Sequence, residues 1–155
     1  MKVKISTDST CDLPREFVER YDIGVLPLYI IRDGVSLKDG IEITAQDMYE
    51  YTERTGKLCS TSAVTVADYT SAWTEWLRDA DAIVHVAFSS ELSASCNNAR
   101  IAAEEFDNVT VVDSLNLSTG FGQLVLDAAI MAQAGHTPEE IAAEVERLVP
   151  KMDVS

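Results

Sequence analysis

Ala82-Ile83-Val84-His85-Val86-Ala87-Phe88 is an apolar run of strand length that passes directly into Ser89-Ser90-Glu91-Leu92-Ser93. Leu92, Cys96, Ala99, Ala103 and Phe106 then recur at helical spacing. A strand buried on both faces, a hydroxyl-rich loop and an amphipathic helix, in that order, make one βα unit of a parallel sheet. The rest of the chain is read outward from it.

Upstream, Val3 to Ser6 is a short β-type run, and Pro14 opens a helix with Leu13, Phe17, Val18 and Tyr21 on one face. Ile23 to Ile31 reads as a single buried strand that turns at Arg32-Asp33-Gly34 into Val35 to Lys38, a hairpin. Thr44 with Asp47 predicts a capping box and a helix through Glu53. Thr65 caps the next helix, where Tyr69, Trp73, Trp76 and Leu77 recur as core positions. Downstream, Val109 to Val112 is another buried strand, and Phe121, Leu124, Val125, Ala128 and Met131 line the helix after it. Gly135 ends that helix, and Thr137-Pro138 starts the last, with Ile141, Val145 and Leu148 inward. The alternation predicts a three-layer α/β fold, a mainly parallel sheet with helices on both faces. Lys151-Met152-Asp153-Val154-Ser155 begins a strand-like alternation directly after a helix. Residues 1–150 are therefore expected to form one domain and 151–155 to open a missing carboxyl-terminal one, a frayed tail being the alternative.

The length of 155 residues suits one domain with a real core, and 46% hydrophobic with 25% charged residues is an ordinary globular composition. A formal net charge of -14 argues against nucleic acid and anionic membrane surfaces, which need clustered Lys and Arg. Any anionic ligand must then be held by local neutral donors. No apolar run approaches a membrane span, and Met1-Lys2-Val3-Lys4 enters a strand rather than a signal-peptide core. Three cysteines, an odd number, fit reduced thiols and a cytoplasmic setting.

The sequence carries little for catalysis. There is no Gly-x-Ser-x-Gly elbow, and His85 and His136 are the only histidines, the first within a strand and the second in a turn between helices. His85 reads as a satisfied core or sheet-face residue and His136 as exposed. Cys11, Cys59 and Cys96 lack metal-ligand spacing. Each adjoins a hydroxyl loop, so tight packing competes with a thiol role. Neither a P-loop nor Gly-x-Gly-x-x-Gly occurs. Asp8 and Asp113 stand where strands give way to loops; they brace loop N–H groups or, alternatively, act as bases or metal ligands.

What recurs is hydroxyls between strand and helix. Ser6-Thr7-Asp8-Ser9-Thr10, Ser60-Thr61-Ser62, Ser89 to Ser93 and Asp113-Ser114-Leu115-Asn116-Leu117-Ser118-Thr119 each fall there. Ser and Thr are the usual helix caps. Several such loops at the carboxyl ends of one sheet, with more hydroxyls than caps use, also make a cradle for an anionic head group.

Those segments resemble the DegV family. Asp8-Ser9-Thr10-Cys11-Asp12-Leu13-Pro14 is similar to its D-S-x-x-D-[LI]-P opening, and Thr61-Ser62-Ala63 to its T-S-x-P segment. Ser89-Ser90-Glu91-Leu92-Ser93 is similar to S-S-x-L-S-G-T, and Asp113-Ser114 followed by Gly120-Phe121-Gly122 to D-S…G-x-G. Order and spacing agree along the whole chain, which covers the amino-terminal domain of such proteins. The resemblance implies a bacterial lipid-binding protein that holds one long-chain fatty acid, with no other cofactor or metal and no catalytic residue. In some members a fatty acid kinase phosphorylates the presented carboxylate. Carried over by position, Thr61, Ser62 and Ser93 meet the carboxylate, with Asp8, Ser9, Ser90, Asp113 and Ser114 behind them. The chain departs from the pattern at Val64, where Pro is usual, at Ala94, where Gly is usual, and at Glu91, an added negative charge. An enzyme working on a small phosphorylated or carboxylated substrate at the same loops is the alternative.

Overall fold

The computed structural model of the chain describes residues 2–9, 14–39, 41–87, 94–114 and 118–149. Among them the elements run β1 (Val3–Asp8), α1 (Arg15–Arg20), β2 (Gly24–Leu26), β3 (Tyr29–Arg32), β4 (Val35–Lys38), α2 (Ala45–Thr55) and β5 (Ser60–Ser62). There follow α3 (Val66–Trp76), β6 (Ala82–Ala87), α4 (Ser95–Ala103), β7 (Val109–Asp113), α5 (Ser118–Gln133) and α6 (Pro138–Leu148).

A parallel sheet of order β2-β1-β6-β7 forms the middle layer. Strand side chains alternate between faces. Val3, Ile5, Val84, Val86 and Val112 therefore meet Leu124, Val125 and Ala128 of α5 and Ile141 and Val145 of α6. On the other face Ile83 packs with Tyr69 and Trp73 of α3 and Ala99 and Ala102 of α4. Full burial of each aliphatic side chain is worth about 1.5–3 kcal/mol, and β6, buried at every position, gains on both faces. The predicted three layers are present.

The helices start where their chemistry directs. Thr44, Thr65 and Thr137 each close a reciprocal capping box, with Asp47, Asp68 and Glu140. α2 runs two residues past the expected Glu53 and stops at Gly56, whose φ of 72° is cheap only for glycine.

Two expectations are corrected. Ile23 to Ile31 is not one strand: β2 belongs to the parallel sheet, while β3 belongs to a separate antiparallel sheet of order β4-β3-β5. Pro27 lies at the break and has no N–H for a ladder. Beside it, Leu28 spends its N–H on Ser9 Oγ at 3.0 Å and its carbonyl on Asp39 N at 2.9 Å. Nor is Ser60-Thr61-Ser62 a strand-to-helix loop. It is β5 itself, paired antiparallel with β3 through Ile31–Ser60, Ile30–Thr61 and Tyr29–Ser62. The expected hairpin between β3 and β4 is present, its turn made by Asp33 and Gly34 with φ of 52° and 77°.

Candidate functional site

β1 is the point from which the sheet order runs both ways, to β2 on one side and to β6 and β7 on the other. In an open α/β sheet the crevice at the carboxyl ends of such strands is where ligands bind. The register aligns Asp8 with Leu26, Thr7 with Val86, and Ala87 with Asp113. Asp8 and Asp113 thus stand in one rank at that end, two strands or about 10 Å apart. Alternation turns Ser6 and Asp8 of β1, His85 of β6 and Asp113 of β7 toward α3 and α4.

Beneath the crevice these residues build a buried polar chain. Ser6, Asp8, His85 and Ser95 are each fully buried. Ser6 Oγ lies 2.7 Å from His85 Nδ1 and accepts from Trp73 Nε1 at 3.4 Å. The Ser6 oxygen therefore joins the Trp73 indole to one edge of the His85 ring, whose other nitrogen is Nε2. That nitrogen is 3.4 Å from Asp8 Oδ1 but not aligned for a hydrogen bond, and it has no other partner among the described residues. Tyr69 donates its phenol proton to the same Asp8 oxygen at 2.7 Å. Burial, reinforced by the neighbouring Asp8 carboxylate, pushes the Tyr69 phenol far above its ordinary value, so it stays a donor. Its ring is held edge-on to His85 at 5.0 Å and tilted against Trp73 at 5.1 Å.

The chain continues into α4. The Ser95 hydroxyl bonds the Tyr69 phenol oxygen and accepts the Val64 N–H at 3.1 Å. Asn98 Nδ2 donates to the Val64 carbonyl at 2.8 Å. Val64, itself wholly buried, follows β5 by two residues, so both its backbone polar groups are fixed by α4. The N-cap of α4 is Ala94, which has no side chain able to cap it.

Of the residues predicted for the site, Thr61 and Ser62 lie on exposed β5. Ser9 is committed to structure: its Oγ donates to Asp39 Oδ2 at 2.8 Å while accepting from Leu28. Ser114 is buried, its N–H bonded to the Ala87 carbonyl at 3.1 Å, and Asp113 is half-buried. Ser90 and Ser93 lie outside the described residues, as do Cys11 and 151–155. The structure links Thr61-Ser62 to Asp8 through Val64, Ser95 and Tyr69. Of the residues that make this link, Tyr69 was read as core, Val64 only as a departure from the family pattern, and Ser95 was not singled out. The signal available was alternation: Ser6 and Asp8 share one face of β1 with His85 one strand away, and polar groups at inward strand positions demand partners.

The thiol reading weakens. Cys96 is wholly buried, and burial together with Asp113 pushes its thiol up to about 11, which keeps it protonated and unreactive. His136 is exposed beside Glu140, 3.7 Å away, as expected for a turn residue. Among the described residues no cluster could hold a metal ion, and no helix is long and apolar enough to cross a membrane. An open cleft of about 490 Å³ lies at the amino ends of the strands, lined by Val3, Ile5, Tyr21 and Ala129 among others. It is at the end of the sheet opposite the crevice.

A parallel sheet whose order runs both ways from β1, covered by helices on both faces, defines an open-sheet α/β domain. The profile of the DegV family of uncharacterised proteins matches residues 2–155, and the chain belongs to that family. A DegV domain-containing protein of Clostridium perfringens is 34% identical over 146 residues, covering 93% of this chain and 52% of its own length. A DegV family protein from Thermus thermophilus, described by its fatty acid binding, superposes with a TM-score of 0.89 at 34% identity. That match covers 97% of this chain and 54% of the other. DegV from Bacillus subtilis, described as a fatty acid binding protein, gives the same TM-score of 0.89 at 27% identity, over 97% of this chain and 54% of its own. The chain thus spans about half the length of the relatives it matches.

Proposed function

We propose that this chain binds a long-chain fatty acid by its carboxylate at the crevice beside β5 and α4, without chemistry of its own. The observation that carries the reading is the exposed hydroxyl strand Thr61-Ser62, fixed through Val64 to the first turn of α4. It is supported by the structural relatives described as fatty acid binders. Ser93 completes the set by position in the family motif. Neutral hydroxyl and N–H donors suit a chain with a net charge of -14, because each hydrogen bond to a carboxylate adds about 1.5–3 kcal/mol locally. Tail burial, at about 0.8 kcal/mol per CH₂, supplies on the order of 10 kcal/mol gross for a long chain before ordering costs. The tail sets affinity; the hydroxyls set which end faces out.

In this reading a second, carboxyl-terminal domain beginning near residues 151–155 forms the other wall of the tail tunnel, and the protein works in the cytoplasm. The outward carboxylate is presented to a fatty acid kinase for phosphorylation. The alternative is an enzyme with Asp8 or Asp113 as base: Asp8 is disfavoured by lying fully buried with Tyr69 donating to it, while Asp113 is half-buried. Native mass spectrometry of freshly purified protein tests the reading: a co-purifying fatty acid is expected, and a protein that never carries or takes one up sinks it.

A further inference from the structure

We infer that Tyr69 and Ser95 are positioning residues for the carboxylate end of the ligand, acting through Val64 and Asp8 rather than by touching it. The inference rests on the reading of the crevice as a carboxylate site. Val64 N–H, Ser95 Oγ, Tyr69 Oη and Asp8 Oδ1 form one continuous buried hydrogen-bond chain, 3.1 Å at the Val64 step and 2.7 Å at the Asp8 step. It joins four parts of the fold: the segment after β5, the first residue of α4, Tyr69 of α3 and the last residue of β1.

Two consequences follow from this connection. The backbone after Thr61-Ser62 is set by a side chain of α4, so the hydroxyl strand cannot shift without breaking a buried bond. Asp8, a carboxylate beside a proposed carboxylate site, has one oxygen occupied by the Tyr69 proton and faced by His85. Holding that charge on the sheet face keeps it from turning toward the crevice, where it would repel the ligand head group. Hydrophobic burial of α3 would be served equally well by Phe at 69, since the ring contacts to Trp73 and His85 do not need the hydroxyl.

The test compares the unsubstituted chain with Tyr69→Phe and Ser95→Ala, using palmitate and hexadecanol as probes. Each variant is expected to weaken palmitate binding about 5- to 10-fold and to leave hexadecanol unchanged, the loss of roughly one buried hydrogen bond. Equal losses for acid and alcohol would mean a merely structural role and overturn the inference, as would no loss for either. Amide hydrogen exchange gives a second readout that needs no ligand: Tyr69→Phe should speed exchange at Val64, whose N–H is bonded to Ser95 rather than to Tyr69. Unchanged Val64 exchange overturns the coupling. If Tyr69→Phe does not fold, Ser95→Ala carries the acid-to-alcohol comparison alone. Should the unsubstituted chain bind neither probe, the fatty-acid reading fails and the positioning role with it, whereas the exchange result still reports the coupling separately.

Discussion

Ser6 Oγ lies 2.7 Å from His85 Nδ1, joining two wholly buried side chains on the paired parallel strands β1 and β6. The same oxygen takes the Trp73 N–H at 3.4 Å, so one hydroxyl satisfies two buried nitrogens. Ser6→Ala leaves both without it and should cost about 1–3 kcal/mol. Urea unfolding checks this; an unchanged midpoint would mean that the histidine and tryptophan find other partners at no cost.

Gly24 meets the face of Trp76. A Cβ built there would come within 2.7 Å of Trp76 Cη2 and 2.8 Å of Cζ3. The indole also meets Lys4, whose Nζ is 5.3 Å from the ring and 3.2 Å from Asp22 Oδ1. Gly24→Ala must displace that ring, at about 1–3 kcal/mol. Adding Trp76→Leu to Gly24→Ala should recover part of the loss relative to Trp76→Leu alone. Thermal denaturation of all four proteins gives the coupling, and strictly additive effects would show that the ring is not the obstacle.

The layers were legible in the sequence because long periodic segments bury one face. Leu124, Val125 and Ala128, or Ile141 and Val145, could hardly do otherwise. The capping boxes were legible because their chemistry is local. What escaped depends on pairing between distant segments. Pro27 hinted that Ile23 to Ile31 could not be one strand, yet the second sheet exists only because Ser60 to Ser62 returns to pair with β3. No propensity announces a three-residue hydroxyl strand. The site was legible as motifs, but its supporting bonds were not. Ser6–His85 spans 79 residues and Tyr69–Asp8 spans 61. His85 was rightly assigned to the interior; that its Nε2 would face Asp8 required the register of β1 on β6.

Helix α6 should respond to acid. The Thr137 backbone N–H, followed by its hydroxyl contact, holds the Glu140 carboxyl below its ordinary value of 4.5. A carboxylate depressed in the folded state contributes its stability above its unfolded value and loses it as pH falls through the folded one. Glu140→Gln should therefore lower the melting temperature at neutral pH, with the gap to the unsubstituted chain closing in acid below the carboxylate range. A gap that persists there would show the cap works without its charge.

The final expectation separates the two hydroxyls of β5. Thr61 is paired with Ile30 and Ser62 with Tyr29, so consecutive side chains of this strand emerge on opposite faces of the small sheet. A carboxylate lying against one face meets one hydroxyl directly, and the other serves at most through the backbone. Both residues are exposed, so neither Thr61→Ala nor Ser62→Ala should shift the melting temperature appreciably. In fatty-acid binding they should differ. Losing the hydrogen bond to the charged head group costs about 1.5–3 kcal/mol, roughly 10- to 150-fold in affinity, while the residue on the far face is nearly silent. Titrating a fluorescent fatty acid into both variants decides it. Equal losses would mean that the strand twists enough at its end to bring both hydroxyls to the ligand, and no loss in either would move the carboxylate away from β5 altogether.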